Sequence, residues 1–312
     1  DARPGGRDLL VAGIFLAPNL LGFLAFTVIP VIASLALSVF DWDIINWPPR
    51  FVGVDNFIRL LGWKMEAGRL AARDPLFWKF AWNTLFLMFA IPLNIMGSLA
   101  LAWLLNQRLR FLPLFRTMVF LPSISSAVAV ALLWSWLYNP NFGLVNYTIE
   151  RLGALLGITA TGPQWLTNPG WAKPALMLMG FWTLVGGMNM IYYLAALQGI
   201  PHELYEAAEI DGATSWQTFW AVTWPMISPA TFFILTMSII GGFQGGFLNA
   251  YIMTRGGPNN ATTTMEYYIF NNLFIYQHAG YAAAIAWILF MAVLGVTIIH
   301  WKRSGKWVFY GA

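Results

Sequence analysis

Residues 9–40 read LLVAGIFLAPNLLGFLAFTVIPVIASLALSVF, a run of 32 residues without one charged side chain. About 18 or more such residues read as a helix crossing the hydrocarbon core of a bilayer. This run exceeds one perpendicular span, so it tilts or projects past the lipid. Five further charge-free runs follow, at 80–107, 117–138, 174–197, 229–251 and 279–301. They lack the ten-residue alternation of barrel strands, which leaves helices as the spanning structure. The sequence therefore predicts an all-α integral membrane protein with six transmembrane helices, both ends on one side, and residues 1–312 as a single membrane domain.

Composition agrees. The chain is 59% hydrophobic and 10% charged, against about 25% charged in a soluble domain. It has no cysteine, which excludes disulfides and thiolate metal sites, and its three histidines, His202, His278 and His300, are scattered. The net charge of +4 comes from Lys and Arg flanking the apolar runs, as in membrane-surface anchoring; nucleic acid is not an expected partner, whereas membrane lipid is. The start at Asp1 shows no signal-peptide pattern. Because Asp1 is not Met, the native start is expected to lie outside the sequence.

Orientation rests on the short loops. With the termini inside, eight cations (Arg3, Arg7, Arg108, Arg110, Arg116, Lys302, Arg303, Lys306) face nine outside (Arg50, Arg59, Lys64, Arg69, Arg73, Lys79, Arg151, Lys173, Arg255). The tight 106–116 loop holds three Arg and no acid, whereas 41–79 interleaves Asp41, Asp43, Asp55, Glu66 and Asp74. Weighting short, span-adjacent loops puts the termini in the cytoplasm. Trp42, Trp47, Trp134, Trp136, Trp301 and Trp307 fall near span ends and suit the headgroup zone. Residues 51–61 read as an amphipathic elbow along the outer surface.

No Asp, Glu, Lys or Arg lies inside the six runs. Ion- and proton-coupled carriers usually need such groups, so a carrier acting alone is disfavoured. No phosphate loop of the G-x-x-x-x-G-K-[ST] type is present, so the chain shows no sign of hydrolysing ATP. Paired carboxylates and Ser-His-Asp sets are missing too, which argues against an enzyme.

Between the fourth and fifth runs lies a polar, acidic loop, 198–228. Glu203, Glu206 and Glu209 recur at helical spacing on roughly one face. Leu204, Ala207 and Ala208 form a smooth strip beside them, Gly212 after Asp211 marks a turn, and Pro225 and Pro229 mark re-entry into the membrane. A short helix with acids and small residues can seat in a cleft of another protein. It can equally be a solvated helix capping its own bundle.

The spacing of Glu206-Ala207-Ala208, Gly212, Val222 and Trp224-Pro225 resembles the EAA loop of bacterial ABC importer permeases, with Val222 and Trp224 where Ile and Leu are usual. Leu121-Pro122-Ser123, Trp134, Asn139-Pro140 and 142–146 are similar to the third-span region of the carbohydrate-uptake (maltose and glycerol-phosphate type) permeases. So are 197–201 leading into Leu204-Tyr205-Glu206. Thr254-Arg255-Gly256-Gly257-Pro258 with Ala261-Thr262 resembles the outer loop of their first permease subunit.

This resemblance implies the type I importer fold in a bacterial or archaeal cytoplasmic membrane. The chain would be half of a pore. Its partners would be a second related permease, two ATP-binding subunits and an extracytoplasmic substrate-binding protein. ATP and Mg would belong to the ATPase, with no cofactor here. Glu206, Ala207, Ala208, Asp211, Gly212 and Pro225 would couple to that ATPase. Substrate positions carried over by motif fall on Ser123, Ala127, Phe181, Leu184, Val185, Ser238, Gly242 and Gly245. Several are apolar here where sugar-binding relatives are polar, so Trp182, Asn189, Gln244 and Asn249 join them as candidates. Gly241, Gly242, Gly245 and Gly246 either open room for a ligand or pack helices closely. Sugars call for aromatic platforms and neutral hydrogen bonders. The charge-free spans fit a neutral sugar, oligosaccharide or polyol better than glycerol phosphate or its diesters.

Overall fold

The computed structural model describes residues 6–43, 45, 48–66, 68–107 and 110–309, with side chains from Leu10 onward. Arg3, Trp47, Arg108 and the side chain of Arg7 lie outside the described residues. Two compact units divide the chain: Asp1–Pro75 with Ile269–Ile288, and Leu76–Tyr268 with Leu289–Ala312. Both boundaries between 269 and 289 fall inside helical segments rather than in a linker.

The first unit opens with the helical run Leu10–Leu37, long and apolar enough to cross a membrane. Its middle, Leu24–Val28, widens into π-helix. Pro30 follows two residues later and lacks the N–H that would bond the carbonyl of Phe26, so the helix relaxes locally. Past Leu37 the chain forms a short antiparallel pair, Phe40–Asp41 with Arg50–Phe51, and the Phe40 and Phe51 rings meet edge-on at 5.4 Å. The expected elbow is a helix over Asp55–Leu61. It is pinned from within, since Leu60 is buried and buried Asn56 donates to the carbonyls of Ser38 and Phe40, both at 2.9 Å. A hairpin, Trp63–Glu66 with Arg69–Ala72, leads to Asp74, which accepts a 2.6 Å bond from Tyr281.

The second unit holds the other spans. Pro75–Leu105, Pro169–Gln198 and Ser215–Phe243 each pass the length and hydropathy test, as does Ala279–Ser304 in the chain as a whole. The expected third span is not one straight helix. Leu112–Ile124 and Ala127–Leu137 meet at 96°. Ser125 is extended, and the hydroxyls of Ser123 and Ser125 bond back to the carbonyls of Phe120 and Leu121 just after Pro122. Among the described residues five helices are therefore long and apolar enough to span, or six with the bent pair taken as one span. The fifth span also differs from expectation. It begins at Ser215, inside the stretch read as loop, and stops at Phe243. Pro225 does not interrupt it: Phe219–Thr223 opens into π-helix two residues ahead of the proline, as near Pro30.

The core is a cluster of Ala102, Leu105, Met190, Tyr193, Leu197, Ile200, Ile227 and Ile234 from three of these helices. Small residues let backbones approach. A Cβ on Gly186 would stand 2.1 Å from the carbonyl oxygen of Val119. The C-terminal tail folds back, with Phe309 N–H donating to Ser228 Oγ (2.8 Å) and His300 stacked on Phe232 at 4.7 Å. Trp136 and Trp301 are exposed, as anchors should be. Trp134 is buried instead, packed on Tyr138 and Trp182 at 5.1 and 5.7 Å.

Candidate functional site: a docking helix and a polar-dotted cavity

The acidic loop folds as two helices around one corner. His202–Ile210 starts after Pro201, whose extended backbone caps it, with Glu203 favourably in the first turn. It ends in a Schellman motif: Gly212 N–H bonds Glu209 O (3.0 Å) and Ala213 N–H bonds Ala208 O (2.9 Å). That geometry needs the left-handed residue, and Gly212 has φ +73°. Thr214 then caps the next helix through a reciprocal box with Gln217.

Glu206 and Ala207 are exposed, Ala208 is half-buried, Asp211 and Gly212 lie exposed at the corner, and Pro225 sits at the second position of Trp224–Phe243. Glu206 Oε1 lies 3.1 Å from His202 Nδ1, and the pair is exposed. Ile210 is 86% exposed and Trp216 70%. Ile210, so bare beside Glu203, Glu206 and Asp211 ahead of the fifth span, and Trp216, in the first turn of that span, form an incomplete surface. Inward, Tyr205 Oη meets Thr223 Oγ1 at 3.1 Å. It borders a cavity of about 510 Å³ that also reaches Trp103, Asn106, Glu209 and Phe219. The helix is thus held at its ends rather than packed flat.

A second cavity, about 410 Å³, opens between the spans. Leu184, Asn189, Ser238, Gly242, Gly245 and Asn249 line it, half of the substrate positions drawn from the sequence. The others stand elsewhere. Ser123 bonds its own helix (Phe120 O, 2.7 Å), Ala127 is exposed at a helix start, and Gln244 is exposed. Phe181 and Val185 pack where a Cβ on Gly97 would touch them, and Trp182 meets Trp134 edge to face. Among the described residues no aromatic ring lines this cavity.

The span-two contribution escaped sequence reading: Thr84, Leu87, Met88, Ile91 and Asn94 form one wall. Asn94 is buried, and its Oδ1 has no hydrogen-bond partner among the described residues. An amide at the middle of a charge-free run was the available signal. Thr84 is already satisfied, donating to Phe80 O and accepting from Met265 N–H, both at 3.0 Å. The glycines divide. A Cβ on Gly242 would press Met88 at 2.9 Å, a packing role, whereas Gly241 and Gly180 face open space. Among the described residues no Asp, Glu, Lys or Arg lines this cavity.

Residues 67–302 match the family described as "Binding-protein-dependent transport system inner membrane component". The chain belongs to this family of ABC importer permeases. It is similar to the lactose transport system permease protein LacF of Rhizobium radiobacter, 37% identical over 300 residues covering 94% of each chain. It is 31% identical to the sn-glycerol-3-phosphate transport system permease protein UgpA of Pectobacterium atrosepticum, over 99% of both. Among solved structures it resembles a chain of a bacterial ABC transporter that imports the acidic polysaccharide alginate (TM-score 0.78, 25% identity, 96% of both chains covered). The permease is thus an inner-membrane transport subunit of the type I importer fold, and its family components are not themselves enzymes.

Proposed function

We propose that the permease forms half of the pathway for a neutral sugar, oligosaccharide or polyol. A second related permease supplies the other half, an extracytoplasmic binding protein delivers the solute, and two ATP-binding subunits hold ATP and Mg. The observation that carries the substrate class is the cavity wall. Asn94, Asn189, Ser238 and Asn249 line it, and among the described residues no charged side chain does. Asn94 Oδ1 is buried without a partner, at a cost of about 1–3 kcal/mol, and a turn of its amide toward the cavity would let a solute hydroxyl relieve it. A phosphate in so dry a wall would have no cation to meet it, which weighs against glycerol phosphate. An ion-driven carrier would need an ionisable group that this wall lacks.

The coupling half of the reading rests on the docking helix. Its termini and loop lie in the cytoplasm, Glu206 meets a basic residue of the ATPase cleft, and Gly212 sets the corner. Closure of the ATPase then rocks the two halves about the central site. The test is uptake into proteoliposomes holding the assembled importer, with neutral and phosphorylated sugars compared. ATP-dependent uptake of neutral solutes is expected; uptake by this chain alone without ATPase, or preference for the phosphorylated panel, refutes the reading.

A further inference from the structure

We propose that the helix Leu144–Leu155, between the third and fourth spans, lies on the membrane surface as a lipid anchor, with Arg151 addressing lipid phosphate. At 100° per residue, Leu144, Tyr147, Thr148, Arg151, Leu152 and Leu155 share a sector of about 140°. The apolar members of that stripe are bare. Leu155 is 82% exposed, and Leu144, Tyr147 and Leu152 each more than half, with Leu156 and Ile158 continuing the strip beyond the helix.

The opposite face is fully engaged by the protein. Buried Asn146 accepts from Trp165 Nε1 at 2.7 Å and donates to Pro163 O at 3.3 Å. Gly153 packs so tightly that a Cβ would stand 2.6 Å from Ala160 Cβ. Trp165 stacks on Tyr138 at 5.2 Å, and Tyr138 donates to Ala175 O in the next span. The helix is therefore fixed in orientation with its oily stripe turned out.

Continuity names the occupant. The span Ala127–Leu137 presents exposed Leu132, Leu133 and Trp136, and after a short turn Phe142 (72% exposed) and Leu144 extend the same apolar surface. That turn is rigid: Gly143 N–H bonds Asn139 O at 2.8 Å, and Asn139 Oδ1 accepts from Asn141 N–H at 2.9 Å. A helix leaving a span end with a Leu-rich stripe, a tyrosine and one cation matches an interfacial helix. Arg151 Cζ sits 5.1 Å over the Tyr147 ring, so its guanidinium can reach the headgroups while its stem covers apolar surface. The span Pro169–Gln198 separates this helix from the docking helix, so the anchor grips the opposite face of the membrane.

The chain has no cysteine, which permits single-site labelling in the assembled importer. Leu152→Cys, Leu155→Cys and, as a control off the stripe, Glu150→Cys would carry a polarity-sensitive fluorophore in nanodiscs containing lipid nitroxides near the headgroup. All three side chains are exposed, so the fold should tolerate them. The expected result is strong quenching and blue-shifted emission at 152 and 155, with little at 150. Water-like emission without quenching at 155 overturns the proposal. So does shielding that appears only when binding protein is added, because the stripe would then be a protein-docking face. Arg151→Glu should lower quenching at 155 in both phosphatidylcholine and phosphatidylglycerol discs, because each headgroup carries the phosphate, and more in the anionic lipid; unchanged quenching in both would refute the phosphate contact.

Discussion

The docking helix and the cavity are built on opposite plans. The first is one contiguous stretch, exposed and acidic, held by caps at both ends. The second is a space drawn from four separate parts of the chain, with no charged side chain among its described lining residues and polar groups spaced along apolar walls. The contrast teaches where each function's cost lies. On the function proposed above, a docking surface leaves apolar groups such as Ile210 exposed until a partner arrives, whereas a solute pathway hides polar groups such as Asn94 from lipid.

Substitutions that fill one region should spare the other. Gly241→Trp should have the largest effect: Gly241 faces open space, so an indole there occupies the cavity. ATP-driven uptake should fall below detection while the ATPase still co-purifies; loss of the ATPase as well would break the separation. Glu206→Lys should do the reverse, cutting recovered ATPase about tenfold or more, since reversing a charge in an interface costs several kcal/mol. Pull-down from the membrane reads this, and unchanged recovery removes Glu206 from the contact. Asn94→Leu should raise the half-saturating solute concentration about tenfold, with thermal stability of the complex unchanged or higher because an unpaired acceptor disappears. Gly212→Ala should lower stability of the docking corner by about 1–2 kcal/mol, the cost of a left-handed residue with Cβ, and Gly212→Asn by less. Hydrogen exchange over 202–218 measures it.

The smallest effect concerns Glu266, in a short helix outside the spans. Burial raises its pKa above the ordinary value, although the Phe247 N–H at 3.2 Å pulls it down. A raised pKa means the folded state prefers the protonated acid. Its contribution is full below the unfolded pKa of about 4.3 and is lost as pH rises through the folded value. Melting of the complex should therefore be less pH-sensitive in Glu266→Gln across the acid range.

The docking region was legible because its signal is local. Glu206, Gly212 and Pro225 stand at fixed spacing, and a Schellman corner needs a glycine wherever it occurs. Spans were legible as charge-free runs, but their bends were not. Nothing in a hydropathy pattern announces that Ser125 turns a span by 96° or that the helix at Ser215 begins before the apolar run does. The cavity was half legible. The family resemblance places Leu184 and Ser238 there and Asn189 stands near them as a polar alternative, yet Asn94 joins them only through packing of a helix far away in sequence. Phe181 and Trp182 sit one turn from the cavity wall and face away, a rotation that single-sequence reading cannot assign.

Ser215–Phe243 carries a mechanical consequence. One continuous helix begins three residues after the docking corner and ends with Ser238, Gly241 and Gly242 in the cavity wall. At 1.5 Å per residue the arm from Ser215 to Gly241 measures roughly 40 Å, so tilting its lower end by about 5° sweeps the far end by about 3 Å, the size of a solute hydroxyl's reach. If the corner couples to an ATPase as proposed, the widened turn at Phe219–Thr223 would be the compliant joint of the lever, and its stiffness would set how much of a stroke arrives at the other end.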